Sequence, residues 1–299
     1  LWPFRFKSKL LNRLLAVLYL KQGLCSMKVL AIDYDGVIVD SVLDSLFVSH
    51  NAYLKLFGNE KRKQFGGKPF TFQNWPTILQ KYSKEIEYYR SLRPYIRDAI
   101  DYGLIQKLME NGKNIQSQIE FDKYRKTDRF GLEKFYDAFF KERKKLQEED
   151  FEGWLSLEPP YEEAIKGIRK FVKEGIKVMV ATSNRTEFIF QVFHPLYYDI
   201  PVKYEDILDF NFGEDKSKQI QYIHEKFKVN LKDIYFMDDQ LAHLEQTRSL
   251  GISVFLAGWS YATIQQKGRA KIEGIPVINR SEDFYSILKE HMNRRLKYH

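Results

Sequence analysis

Residues 29–41 have the sequence VLAIDYDGVIVDS, and this stretch decides the fold of the chain. An apolar run of strand-forming residues ends in two acids, Asp33 and Asp35, and a glycine follows. This pattern is typical of a buried parallel strand, and open α/β sheets bind ligands at the carboxyl ends of such strands. Alternate residues of a strand point to the same side, so the two carboxylates repel unless a cation or a proton intervenes.

The size and charge of the chain limit the protein classes to which it can belong. Its 299 residues, 44% of them apolar, suffice for one large or two ordinary globular domains. Of the net charge of +8, five units lie in residues 1–26, which contain no acid. The net charge of +3 that remains for the rest of the chain is too small to indicate a basic nucleic-acid-binding surface, so we expect no nucleic-acid partner. Cys25 is the one cysteine, which excludes an intrachain disulfide, and we expect a cytoplasmic protein.

Residues 1–26 form a basic N-terminal extension that differs from the rest of the chain. Their leucine-rich run is interrupted by Arg13 and is too short and too charged for a membrane span, so we expect no membrane partner. The run resembles a poor signal peptide or an amphipathic surface helix. Because Met27 directly precedes the first strand, we expect the functional protein to start there and residues 1–26 not to be native.

Residues 45–155 are predicted to be an all-helical insertion. The segment is rich in Lys, Glu, Tyr and Phe, and Pro94 is expected to open a helix that runs through Ile100. No strand-like alternation is visible, and the segment is too long for a loop, so it should be a subdomain. Some of its residues could face a site, although each is also explained as a solvated charge or a core aromatic. These candidates are Lys68, Phe70, Trp75, Arg93 and Arg97.

Strands alternate with helices from about residue 156 to the end of the chain. Together with the first strand, this alternation predicts an α/β fold with a doubly wound, mainly parallel, Rossmann-like sheet. The predicted core therefore comprises residues 27–44 and 156–299, and the helical subdomain is inserted between these two parts.

Three predicted strands end in polar clusters, and the carboxyl ends of parallel strands converge in space. We therefore expect these clusters to form one site, although they are far apart in sequence. They are Asp33 with Asp35, then Thr182, Ser183 and Asn184, and finally Asp238 with Asp239.

Four carboxylates at one site predict a bound cation, and an oxygen-rich ligand set favours Mg²⁺. A magnesium ion beside a hydroxyl group and a lysine is typical of sites that catalyse phosphoryl transfer. An aspartate can attack phosphorus and become an aspartyl-phosphate, and a second acid can protonate the leaving oxygen and then activate water.

The sequence resembles the haloacid dehalogenase-like (HAD) hydrolase superfamily at four motifs that occur in the expected order. Residues 33–41 are similar to the first motif, and Thr182, which closes a strand, is similar to the second. Lys216 resembles the third-motif lysine; Lys218 is the alternative, but Lys216 places Ile220 one turn into the helix. The pair Asp238-Asp239 resembles the fourth motif.

The resemblance implies a role for each matching residue. Asp33 would be the nucleophile, Asp35 the general acid and base, and Lys216 the partner of the nucleophile and phosphate. Thr182 would bind the phosphoryl oxygens with the following turn, Ser183 and Asn184. The implied Mg²⁺ ligands are Asp33, the backbone carbonyl of Asp35, Asp238 and Asp239.

The resemblance also implies that the helical insertion is a cap that closes over the site and selects the substrate. One departure from the family pattern is His243, which replaces an acid that many relatives have four residues after the fourth-motif aspartate. It could change which acid of the pair contacts the metal.

The leading hypothesis is a Mg²⁺-dependent phosphatase that acts on a small phosphorylated metabolite through an aspartyl-phosphate. The presence of Asp35 favours phosphate esters over carbon–halogen bonds, because members that dehalogenate lack this second acid. The alternatives are a phosphotransferase or phosphosugar mutase of the same superfamily and a non-catalytic binding protein on this fold. The sequence leaves open whether the protein is a monomer or a homodimer.

Overall fold

The computed structural model describes residues 27–58, 64–129, 131–212 and 215–294, so the predicted N-terminal extension lies outside the described residues. Within them, the chain forms a six-stranded parallel sheet in the order β3-β2-β1-β4-β5-β6. This confirms the predicted α/β fold with a mainly parallel, Rossmann-like sheet. The strands are β1 (Val29–Ile32), β2 (Lys177–Ala181), β3 (Ile207–Leu208), β4 (Ile234–Asp238), β5 (Ser253–Ala257) and β6 (Val277–Ile278).

Strand β1 lies at the centre of the sheet because both of its faces are apolar. Leu30 and Ile32 belong to the hydrophobic core on one face, and Val29 and Ala31 belong to the core on the other. All four residues are fully buried, as expected for a strand with helices on both sides. The register pairs Ile32 with residues near the ends of β2 and β4, so the three polar strand ends lie side by side.

The described residues between β1 and β2 form helices and no strand. This helical segment, residues 42–155, has its own hydrophobic core, in which Phe47, Tyr89 and Phe135 are almost completely buried. Its α-helices are α1 (Val42–Phe57), α2 (Trp75–Lys81), α3 (Ser83–Leu92), α4 (Ala99–Glu110), α5 (Gln118–Thr127), α6 (Phe135–Glu149) and α7 (Phe151–Leu155).

The prediction that Pro94 opens a long helix is wrong. Pro94 lies in a short 3₁₀ turn, Arg93–Tyr95, and the following Ile96 is extended. Helix α4 begins only at Ala99, because the side chain of Asp98 accepts a hydrogen bond from the first-turn N–H of Ile100 at 2.9 Å and caps the helix. The chain between α3 and α4 is therefore an irregular connection that can turn side chains toward the sheet.

Both ends of the helical segment are joined to each other at the core. The N–H of Asp40 donates to the carbonyl of Pro159 at 2.9 Å, and the N–H of Tyr161 donates to the carbonyl of Ile38 at 2.8 Å. These bonds form a short antiparallel bridge outside the predicted boundaries at residues 45 and 155. The chain therefore leaves and re-enters the core at one place.

The remaining helices flank the sheet, and none of the helices in the described residues is long and apolar enough to cross a membrane. The helix Ile264–Ile272 could not be recognised from the sequence because its apolar pattern is weak, and Ile264 and Ile272 are 90% and 89% exposed. A capping box formed by Thr263 and Gln266 starts it instead. These helices are α8 (Glu162–Lys173), α9 (Thr186–Val192), α10 (Lys216–Phe227), α11 (Leu241–Arg248), α12 (Ile264–Ile272) and α13 (Phe284–Arg294).

Candidate active site

Asp33 lies at the centre of the candidate site, directly after β1. Its N–H donates to the carbonyl of Met237 at 2.9 Å, and its Oδ1 accepts a hydrogen bond from Lys216 Nζ at 2.9 Å. The same ammonium group donates to the carbonyl of Ala181. Burial raises the pKa of Asp33 to about 6, although the ion pair with Lys216 opposes this shift. Lys218, the alternative lysine, is exposed to solvent, whereas Lys216 is buried.

Three buried carboxylates crowd the ends of β1 and β4. Asp33, Asp238 and Asp239 each place a carboxylate oxygen within 4.8 Å of the others, whereas the side chain of Asp35 is not part of this cluster. Both side-chain oxygens of Asp239 are buried and have no hydrogen-bond partner in the part of the chain that the structure describes. Burial raises the pKa of Asp239 well above its usual range. Such a group of buried carboxylate oxygens fits the ligand preference of a divalent cation such as Mg²⁺.

Asp238 differs from Asp239 because its carboxylate already has partners. Its Oδ1 accepts the N–H of Gln240 at 2.8 Å, and its Oδ2 lies 2.9 Å from Nδ1 of His243. Burial acts to raise the pKa of Asp238, but His243 and Lys216 outweigh it and hold the pKa below its usual range. His243, which departs from the family pattern, therefore contacts the carboxylate of Asp238, whereas the carboxylate of Asp239 has no hydrogen-bond partner among the described residues.

Gly36 allows the loop after Asp35 to pack against this cluster. Its φ of +75° lies in the left-handed region that favours glycine. A Cβ atom at this position would lie 2.7 Å from Cγ of Asp239 and 2.8 Å from Oγ of Ser260. The glycine of the Asp-x-Asp-Gly pattern is therefore needed for the position of Asp239.

The turn after β2 brings a hydroxyl group to the same place. Thr182 is buried, and its Oγ1 accepts the N–H of Asn184 at 3.0 Å, while Ser183 between them is exposed. Gln219 on α10 donates to the carbonyls of Thr182 and Leu208, at 3.3 Å each. Gln219 therefore fixes this turn, a role that its place on a helix face did not reveal in the sequence.

A chain of buried polar contacts links Asp35 to the helical segment. Nδ2 of Asn184 lies 3.4 Å from Oδ2 of Asp35, and Arg143 on α6 donates to Oδ1 of Asn184 at 2.9 Å. Arg143 also forms an ion pair with Asp44 on α1, and Asp44 accepts a hydrogen bond from the indole N–H of Trp154 at 2.9 Å. Sequence reasoning missed Arg143, because it lies in a run of lysines and glutamates that is typical of a solvated helix face.

A cavity of about 80 Å³ separates the strand ends from the helical segment. Of the cap residues considered from sequence, Arg93 and Arg97 line it, whereas Phe70 and Trp75 belong to the core of the helical segment and Lys68 is exposed. The sheet side contributes Asp33, Asp35, Thr182, Ser183 and Lys216, and the helical segment contributes Arg93, Arg97, Tyr102, Phe139, Phe140 and Arg143.

Glu158, at the end of the helical segment, makes stability depend on pH. It is fully buried and accepts a hydrogen bond from Tyr34 Oη at 2.7 Å. Burial, with a contribution from Asp44, raises its pKa well above 4.5. The folded state keeps a proton that the unfolded state loses, so stability is full below about pH 4.5 and falls as pH rises toward the folded-state pKa.

We expect Glu158→Gln to remove this loss, which approaches about 1.4 kcal/mol per pH unit for one proton. Melting temperatures measured between about pH 5.5 and 8 should favour the variant increasingly over the unmodified protein as pH rises. Glu225→Gln, at an exposed glutamate, is the control and should parallel the unmodified protein. Parallel curves for Glu158→Gln as well would contradict the assignment.

Comparison with known proteins agrees with this architecture. The sequence model of a family described as haloacid dehalogenase-like hydrolase matches residues 27–246. No curated protein has a sequence that matches this chain.

Several solved structures share the fold at low sequence identity. A predicted phosphatase from Clostridium acetobutylicum has a TM-score of 0.56 at 12% identity, over 89% of this chain and 99% of its own. A predicted phosphoglycolate phosphatase from Haemophilus somnus 129PT has a TM-score of 0.54 at 15% identity, with the same coverage. A protein provisionally assigned as a β-phosphoglucomutase from Bacteroides vulgatus has a TM-score of 0.51 at 13% identity, over 88% of each chain. Likeness at these identities concerns the fold.

Proposed function

Because this chain belongs to the haloacid dehalogenase-like hydrolase family, we propose that it is a Mg²⁺-dependent phosphatase of small phosphorylated metabolites. The observation that carries the proposal is the buried ion pair of Asp33 and Lys216, which lies beside the carboxylates of Asp238 and Asp239. A nucleophile and a cation that line a cavity, with an acidic metal site beside them, are the groups that phosphoryl transfer requires.

Asp33, Asp239 and Asp238 would hold the magnesium ion, together with the backbone carbonyl of Asp35. When bound, Mg²⁺ supplies positive charge that offsets these carboxylates and the charge on the phosphoryl oxygens. Asp239 is the strongest candidate ligand, because both of its carboxylate oxygens are buried without another partner.

In the first step, a carboxylate oxygen of Asp33 attacks phosphorus and forms a bond to it. The bond between phosphorus and the ester oxygen breaks, and Asp35 donates its proton to the leaving alcohol. Lys216 orients Asp33 and balances charge on the phosphoryl group. The hydroxyl group of Thr182 and the N–H groups of the turn through Ser183 donate hydrogen bonds to the phosphoryl oxygens.

In the second step, the Asp35 carboxylate takes a proton from a water molecule, and the resulting hydroxide attacks phosphorus. The bond between phosphorus and Asp33 breaks, which releases inorganic phosphate and restores both acids. Asn184 contacts Asp35 and Arg143 contacts Asn184, so the helical segment contributes to the orientation of the proton carrier.

Release of inorganic phosphate from a panel of phosphorylated metabolites tests the proposal. We expect turnover of at least one small phosphate monoester with Mg²⁺ present and none after chelation of the metal. Absence of turnover for every metabolite and for a generic aryl phosphate would overturn the proposal in favour of a non-catalytic binding protein. Appearance of a phosphorylated sugar instead of free phosphate would identify a phosphotransferase or mutase.

A further inference from the structure

Arg93 is buried beside the candidate active site and forms no ion pair with a carboxylate of the described residues. It lies in the connection between α3 and α4, is only 3% exposed and lines the cavity above Asp33. Its Nε and Nη1 atoms have no hydrogen-bond partner among the described residues. A buried guanidinium group in this condition is costly, because a charge removed from water is normally paired.

Two aromatic rings fix the orientation of Arg93. Its guanidinium carbon lies 4.9 Å from the ring centre of Tyr261 in the core and 5.6 Å from that of Tyr102 in the helical segment. Tyr102 in turn stacks on Phe139, with the ring planes 2° apart. Contacts of this kind hold the faces of a guanidinium and leave the N–H groups at its edges available for a planar or phosphate anion.

The other cations that line the cavity have carboxylate partners. Lys216 pairs with Asp33 at 2.9 Å, and Arg97 pairs with Asp122 at 2.6 Å. Arg143 is also paired, through its contact with Asp44. Arg93 therefore differs from these neighbours because it forms no ion pair with a carboxylate among the described residues.

The nearby acids do not form such an ion pair. Asp239 and Asp35 are the carboxylates whose charge acts most strongly on Arg93. In the proposed function, the first is committed to the metal and the second to proton transfer. Neither forms a hydrogen bond with the Nε or Nη1 atoms of Arg93.

We propose that Arg93 binds a second anionic group of the substrate, so that the enzyme acts on small phosphate monoesters that also carry a carboxylate or a second phosphate. This inference rests on the proposed function. The cavity of about 80 Å³ is small, so we expect the two anionic groups of the substrate to be joined by a short carbon chain.

Three compounds with the same two-carbon skeleton test the inference: 2-hydroxyethyl phosphate, 2-phosphoglycolate and ethylene glycol bisphosphate. We expect kcat/KM to be higher for at least one of the two compounds with a second anionic group than for 2-hydroxyethyl phosphate, whose second group is an uncharged hydroxyl. Arg93→Met should lower this selectivity ratio on the order of 10²-fold, and Arg93→Lys should restore part of it. If Arg93→Met lowers the selectivity ratio for 2-phosphoglycolate, the anion is a carboxylate. If it lowers the ratio for ethylene glycol bisphosphate, the anion is a phosphate.

Arg129→Met is the matched control, because this arginine of the helical segment pairs with Asp98 and does not line the cavity. It should leave the ratio unchanged. An unchanged ratio in Arg93→Met, or an equal loss for all three compounds, would overturn the inference. Equal loss would mean that Arg93 serves the transferred phosphate or the fold, and melting curves of both arginine variants separate these two cases.

Calorimetric binding of the same compounds to Asp33→Asn, with and without Arg93→Met, separates this inference from the proposed function. If the unmodified protein hydrolyses neither these compounds nor any member of the metabolite panel nor the aryl phosphate, while binding still depends on Arg93, the proposed function fails and the anion site stands. If 2-hydroxyethyl phosphate binds as tightly as the two compounds with a second anionic group, the proposed anion site is contradicted, whether or not the compounds are hydrolysed.

Discussion

Asp33→Asn should abolish phosphate release, with a fall in kcat on the order of 10⁴-fold or more. Asparagine has nearly the same shape and can still contact Lys216, but its neutral amide oxygen is a poor nucleophile and cannot form an aspartyl-phosphate. The residue is 6% exposed and hydrogen-bonded through its N–H, so the variant is expected to fold. Steady-state release of phosphate measures the loss.

The covalent intermediate gives a second readout for Asp33. Acid quenching during turnover, followed by mass analysis, should show a phosphoryl group on the peptide that contains Asp33, and the label should be absent from Asp33→Asn. Asp233→Asn is a suitable control, because Asp233 is also a buried aspartate but lies outside the cavity. A folded Asp33→Asn protein with full activity would show that the mechanism is wrong.

Asp239→Asn should weaken Mg²⁺ binding and lower kcat/KM at limiting metal by about 10³-fold, because one charged metal ligand is lost. The same change should stabilise the metal-free protein. Burial already raises the pKa of Asp239 well above its usual range, and a neutral amide removes the cost of that buried charge. Magnesium titrations of activity and melting curves with and without Mg²⁺ measure both effects.

The opposite signs distinguish metal binding from a structural role for Asp239. A residue that merely supports the fold would lower the melting temperature of the metal-free protein when replaced. Asp238→Asn is the companion variant, and we expect a smaller loss of Mg²⁺ affinity because Gln240 and His243 already hold that carboxylate. A larger loss in Asp238→Asn would reverse the assignment of the two acids.

The parts of the site that the sequence predicted are those that local pattern and sheet register determine. An apolar strand that ends in acids has one natural place in a parallel sheet, so the positions of Asp33 and Asp238 followed from their own strands. The choice of Lys216 over Lys218 followed from helical spacing, since a shift of two residues turns a side chain toward solvent.

The parts that could not be predicted depend on contacts between segments that are distant in sequence. Arg143 meets Asp44 and Asn184 across separations of 99 and 41 residues, and no local pattern marks a lysine-rich helix face as buried. The irregular connection that holds Arg93 was also missed, because Pro94 is equally compatible with the start of a helix. The burial of both arginines follows from the packing of the helical segment against the sheet.

The bridge between residues 38–40 and 159–161 has a consequence for how such proteins diversify. Hydrogen bonds hold the two ends of the helical segment together at the sheet. The positions of the strands therefore do not depend on the length or composition of the helical segment. Loop-closure entropy grows only logarithmically, by about 0.6 kcal/mol for each doubling of length. The helical segment can therefore be lengthened, shortened or exchanged while the strands of the sheet keep their register.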